Sequence, residues 1–177
     1  ADTQGNNSVV IFRVSDGTEN NLVEIQRFSN GELKLLLIND KVQTSYTTKT
    51  DFADTEGWFQ IGYNSDDGTV IAVYRTGDED EYIPLEGNGE AMSNFGGKHV
   101  AELRAQKWGG SAPVSVDFLQ FNSTFVKEAQ YSTAENTDFT GPVLTDDWYG
   151  KDGDVRYEDG HLVLVNAGDG ISTVKRN

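Results

Sequence analysis

The sequence predicts an all-β fold, specifically a two-sheet antiparallel jelly-roll β-sandwich. Three observations lead there. Short apolar or alternating segments recur at a spacing of roughly 8–12 residues, the all-β signature. Clusters of Gly, Asn, Asp and Ser separate them. No window carries the 3.6-residue apolar stripe of an amphipathic helix.

Taken in order, SVVIFRV (Ser8–Val14) reads as a strand and Ser15-Asp16-Gly17 as its turn. LVEIQRF (Leu22–Phe28) follows, and Ser29-Asn30-Gly31 turns the chain into LKLLLI (Leu33–Ile38). Asn39-Asp40 precedes a strand over Val42–Thr47. WFQIGY (Trp58–Tyr63) and TVIAVY (Thr69–Tyr74) flank Ser65-Asp66-Asp67-Gly68, a plain hairpin turn. His99–Trp108 and Val114–Phe121 form a further pair around Gly109-Gly110. Val155–Tyr157, His161–Asn166 and Ile171–Lys175 close the series, making about ten strands. Thr76–Gly97 reads as a long acidic loop with one short strand near Tyr82–Leu85, and Thr124–Gly150 as a connection without strand pattern. Residues 1–177 are read as one domain: a main body over 1–123, a connecting segment over 124–137 and a tail over 138–177.

Composition narrows the function. Lys and Arg total 14 against 29 Asp and Glu, a net charge of −15 that repels phosphate backbones and argues against nucleic acid as a partner. No apolar run approaches the roughly 18 residues of a membrane helix, so no membrane partner is expected. The absence of Cys excludes a disulfide scaffold and cysteine-based zinc sites, and His99 and His161 alone leave little for His-based chemistry. An acidic surface keeps a protein dispersed in salt and supplies hard oxygen ligands for Ca²⁺. The Ala1-Asp2-Thr3 start is compatible with a cleaved leader, and Asn6-Asn7-Ser8 and Asn122-Ser123-Thr124 are glycosylation sequons. Together these favour an extracellular or cell-surface location.

Alternation along the strands singles out candidate ligand-binding residues. Glu24 and Gln26 share one face of their strand, and Glu102, Arg104 and Gln106 share one face of theirs, continuing to Trp108. The opposite face, Ala101, Leu103 and Ala105, reads as core. Gln60 sits mid-strand. Rows of polar side chains beside a flat ring suit sugars, whose hydroxyls need paired donors and acceptors and whose C–H faces stack on aromatics. Of the three Trp, Trp58 is assigned to the core and Trp108 to an exposed platform.

From Ser8 to Phe121, the order VVIFRV–LVEIQRF–ELKLLLI, then GWFQIGYNSDDGTVIAVY, then HVAELRAQKWGGSAPVSVDFLQF resembles the concanavalin A-like, laminin-G-like jelly-roll superfamily. The tail, DFTGPVLTDDWYGKDGDVRYEDGHLVLVNAGDGISTVKRN, resembles the beginning of such a domain, with Trp148 similar to its structural Trp. The opening strands therefore stand after the closing ones. Either the chain is circularly permuted and the tail folds back, or the tail completes a neighbouring molecule. The linker from Phe121 to Asp138, about 17 residues at about 3.3 Å each, is long enough for the first.

The resemblance also implies a structural Ca²⁺, with Asp117 and Asp138 as its matching acids. Enzymatic branches of the superfamily are matched less well. The Glu-x-Asp-x-x-Glu strand of its glucanases is missing, and Glu79-Asp80-Glu81 lies in a loop. Ala101-Glu102-Leu103-Arg104 resembles an alginate-lyase strand, Arg-x-Glu-Leu-Arg, but Val100 replaces the first Arg and Glu24-Ile25-Gln26 lacks the His of the lyase Gln-Ile-His motif. The first expectation is thus a non-enzymatic, extracellular glycan-binding module with structural calcium. The second is a structural subunit of an extracellular filament or adhesive assembly that self-associates through donated C-terminal strands. A polysaccharide lyase or glycosidase comes third.

Overall fold

The computed structural model describes residues 8–54, 56–64, 66–77, 80–92, 95, 99–108, 114–118, 120–123, 135–138, 148–158, 161–166 and 170–176. They are all-β, with antiparallel pairing throughout, and contain no helix. Fifteen strands are described: β1 (Ser8–Ser15), β2 (Leu22–Phe28), β3 (Leu33–Asn39), β4 (Val42–Lys49), β5 (Gly57–Asn64), β6 (Thr69–Thr76), β7 (Ile83–Pro84), β8 (Val100–Lys107), β9 (Val114–Phe118), β10 (Gln120–Ser123), β11 (Glu135–Asp138), β12 (Trp148–Asp152), β13 (Asp154–Glu158), β14 (His161–Asn166) and β15 (Gly170–Arg176).

One sheet of seven strands, in the order β12-β15-β8-β1-β2-β3-β4, forms a layer. Its inner face packs against β5-β6-β7 at one end and β13-β14-β9 at the other, and β10-β11 makes a separate pair. The arrangement is sandwich-like. Val23, Ile25, Leu33, Leu35 and Leu37 from the large sheet meet Val70, Ala72 and Tyr74 of β6, with Phe52, Leu85, Met92 and Phe95 filling the rim. A second cluster joins Leu103 and Ala105 of β8 to Leu162 and Leu164 of β14 and Val174 of β15. Period-two alternation builds both, since every second residue of a strand faces the same layer.

The tail strands pair with the body of this chain. β14 runs antiparallel to β9, Leu162 opposite Phe118, and β15 runs antiparallel to β8, Val174 opposite Leu103. Ser172 ties the layers together by donating its hydroxyl to the Val165 carbonyl at 2.7 Å. Gly153, at φ 75°, turns the chain from β12 in the large sheet to β13 in the facing one. A Cβ there would overlap the Ser172 hydroxyl and the β15 backbone, so only Gly passes.

Three expectations need correction. Two strands, β11 and β12, form where the sequence shows no strand pattern. Among the described residues β11 pairs only with β10, and β12 is an edge strand with a register shift against β15, so neither must alternate polar with apolar. The segment expected as one strand over Val114–Phe121, paired with His99–Trp108, divides into β9 and β10 in different sheets, and β9 pairs with β14 while β8 pairs with β1 and β15. Trp58 is not core. Phe59, Ile61 and Tyr63 take the inner face of β5, and the half-buried Trp58 points outward beneath the Arg75 guanidinium, 5.6 Å from the ring centroid.

Candidate functional site

The outward face of the seven-stranded sheet gathers five of the predicted ligand-binding residues. Strand β1 lies between β2 and β8, and its alternate residues Val9, Ile11 and Arg13 set three cross-strand rows. Arg13 stands opposite Glu24 on one side and Glu102 on the other, with Lys175 next beyond Glu102. Ile11 stands between Gln26 and Arg104, with Thr173 beyond. Val9 stands beside Gln106, with Ile171 beyond.

The first row is an alternating chain of charge. Arg13 donates its Nε to Glu24 Oε1 at 2.6 Å, and one guanidinium nitrogen also ion-pairs with the same carboxylate. Its other nitrogen donates to Glu19 Oε1 at 2.9 Å and lies 3.8 Å from Glu102 Oε2. Glu102 in turn accepts from Arg104 Nε at 2.8 Å and from the Thr173 hydroxyl at 2.9 Å, and lies 3.4 Å from Lys175 Nζ. Gln26 donates to Glu24 Oε2. Burial pushes the Glu102 carboxyl up, but Arg104, Arg13 and the Thr173 hydrogen bond outweigh it and hold it below the usual glutamate range. Burial likewise pulls Arg13 down, and Glu24 and Glu102 more than compensate, leaving it above its ordinary value.

Glu24 and Glu102 are therefore not presented to solvent as free carboxylates: they are 3% and 2% exposed. They form a locked floor. The half-buried Gln26, Arg104 and Gln106 stand with them, and Trp108, one residue past β8, is 47% exposed. Gln60 is separated from this group. It lies on β5, where its neighbours Phe59 and Ile61 face the core, so its side chain points out of the opposite layer. Arg13, Thr173 and Lys175 belong to the face and escaped the sequence reading. The signal for Arg13 was a lone cation in the apolar run SVVIFRV, sharing its face with Val9 and Ile11. A buried guanidinium demands carboxylates.

The two acids expected to hold a metal ion fall on β9 and β11. Asp117 lies on β9 opposite Val163, and Asp138 lies on β11 opposite Gln120, in different sheets. Both side chains lie outside the described residues, as do the Gly109-Gly110 turn and the Trp148 side chain. Among the described residues no group of three or more His, Asp or Glu is arranged to hold a metal ion.

Comparison with protein-family models, with curated proteins and with solved structures finds no match to this chain.

Proposed function

We propose that this chain is a non-enzymatic, extracellular glycan-binding module of jelly-roll type that receives sugar on the outward face of its seven-stranded sheet. The observation carrying this reading is the co-facial set Gln26 and Arg104 in one row and Gln106 in the next, beside a locked Glu–Arg row and near the exposed Trp108. Such a surface offers fixed donors and acceptors for hydroxyls and a ring for a C–H face. Catalysis fits it poorly. A general acid near neutral pH needs a raised carboxyl pKa, whereas Glu102 is held low and Glu24 is engaged by Arg13.

A glycan array followed by titration calorimetry tests the reading. Trp108→Ala is expected to weaken binding by on the order of 1 kcal/mol, about fivefold in Kd, with no change in melting temperature. An array without a bound glycan, or unchanged affinity in the variant, refutes it. A thermal collapse of the variant would instead make Trp108 structural.

The calcium part of the proposal rests on the resemblance alone. Ca²⁺ is expected to raise the melting temperature by binding the native state, and Asp117→Ala to abolish the rise. A melting curve unchanged by chelator removes calcium from the reading.

A further inference from the structure

Strand β4 ends the seven-stranded sheet, and no described strand pairs with its far side. Its eight residues, VQTSYTTK, include no Pro and no acid. Val42 is 67% exposed. The only register shift against β3 comes at its Lys49 end. Sheet edges are usually blunted by proline, bulges, inward charges or a covering segment. Among the described residues, nothing of this kind lies along the far side of β4 over most of its length.

A groove of about 420 Å³ lies beside it. One wall is Leu37 of β3 with Val42, Thr44 and Tyr46 of β4. The last three alternate along the strand, so they share one face, the side on which Leu37 and Leu35 meet the core. Glu90 and Ala91 form the other wall. Because β4 is the outermost strand of its layer, the space between the walls has its mouth at the sheet edge.

That second wall is held in place by the backbone. Gly89 N–H donates to the Val70 carbonyl at 2.8 Å, Val70 N–H to the Glu90 carbonyl at 2.9 Å, and Met92 N–H to the Gly68 carbonyl at 2.8 Å. Gly87, at φ 86°, lies directly against the Tyr46 ring, where any Cβ would overlap it. The charged side chains lining the groove are acids, Asp40 and Glu90, and no described Lys or Arg lines it. Tyr46 hydrogen-bonds Glu90; burial first, and that carboxylate second, hold the phenol above its ordinary value.

We propose that β4 and this groove form a docking site for an extended, basic segment of a partner protein. The segment adds as an eighth strand on the seven-stranded sheet and sets alternate Lys or Arg side chains against Glu90 and Asp40. Strand addition takes affinity from backbone hydrogen bonds and specificity from pockets for every second side chain. An open edge and an acid-lined groove along the same strand supply both. A second copy of this chain is a poor occupant, because each copy carries −15. The site lies away from the proposed glycan face and does not rest on that reading.

The test uses the full chain and a fluorescent, end-blocked heptapeptide of alternating lysine and threonine, with its glutamate counterpart. The lysine peptide is expected to bind, and the glutamate peptide at least tenfold more weakly. Glu90→Gln should weaken the lysine peptide about fivefold at unchanged melting temperature. Amide hydrogen exchange should slow along β4 on binding. The proposal is overturned if no binding is detected, or if the two peptides bind equally. Affinity indifferent to Glu90→Gln, or protection falling outside β4, marks general attraction to an acidic surface and overturns it as well. Protection of β4 that grows with protein concentration in the absence of peptide assigns the edge to a second copy, with the same consequence.

Discussion

Truncation before Asp138 is expected to yield insoluble or aggregated protein. The deleted segment carries β14 and β15, which place Leu162, Leu164 and Val174 in the core with no measurable exposure. Full burial of such side chains contributes about 1.5–3 kcal/mol each, on the order of 5–9 kcal/mol for the three. That is comparable to the whole stability of a typical domain, about 5–15 kcal/mol. Truncation also strips β8 of its β15 partner and β9 of its β14 partner, opening hydrogen-bonding edges to other chains. Adding residues 138–177 as a separate peptide should restore solubility, because the cover need not be covalent. Light scattering on the intact chain checks that β14 and β15 pair within one molecule in solution, as they do in the structure. A concentration-independent monomer corresponds to a tail on its own body, and open-ended growth to a heterologous contact that never closes. A truncated chain that stays soluble, monomeric and cooperatively folded would show the tail to be an appendage.

Replacing Arg13 by Met should cost about 3–5 kcal/mol in denaturant unfolding, the usual penalty for leaving buried charges without their partner. Two carboxylates depend on this guanidinium, and Glu24 loses its ion pair. The triple variant Arg13→Met, Glu24→Gln, Glu102→Gln should recover much of the loss, since neutral groups carry no such desolvation cost. A loss below 1 kcal/mol in the single variant would mean that water reaches the carboxylates and the floor is not locked. Acid titration gives an independent reading. The folded-state pKa of Glu102 lies below its ordinary 4.5, so its contribution is complete above that value. It is lost as pH falls from there through the depressed folded-state value. Glu102→Gln should flatten that part of the stability profile.

The strands were legible wherever one face is buried. LVEIQRF and HLVLVN became β2 and β14 with unchanged bounds, because alternation or dense apolar character marks a half-buried strand. Where pairing is made only through the backbone, as in ENTD of β11 and WYGKD of β12, the sequence carries no such mark. The polar face was half legible. Alternation grouped Glu24 with Gln26 and Glu102 with Arg104 and Gln106, but only the sheet order places β1 between those strands. Alternation alone therefore does not reveal Arg13 as the group that engages both carboxylates, nor that Gln60, a mid-strand candidate, lies in the other layer.

Strand β8 lies between β1 and β15, the first and last of the described strands, with Val10 and Ser172 flanking Ala105 from either side. A chain made from its N-terminus therefore reaches β8 with β1 already synthesised and must wait for β15, whose Thr173 follows Glu102 by 71 residues. Closing that pairing joins positions far apart in sequence, the kind of contact that makes β-proteins slow folders. During that interval Leu103 and Ala105 lack the cover of Leu162, Leu164 and Val174. A nascent chain that has β8 but not yet β14 and β15 is thus the form that exposes this part of the core, so the delay before those strands emerge adds to the time in which it can associate with other chains.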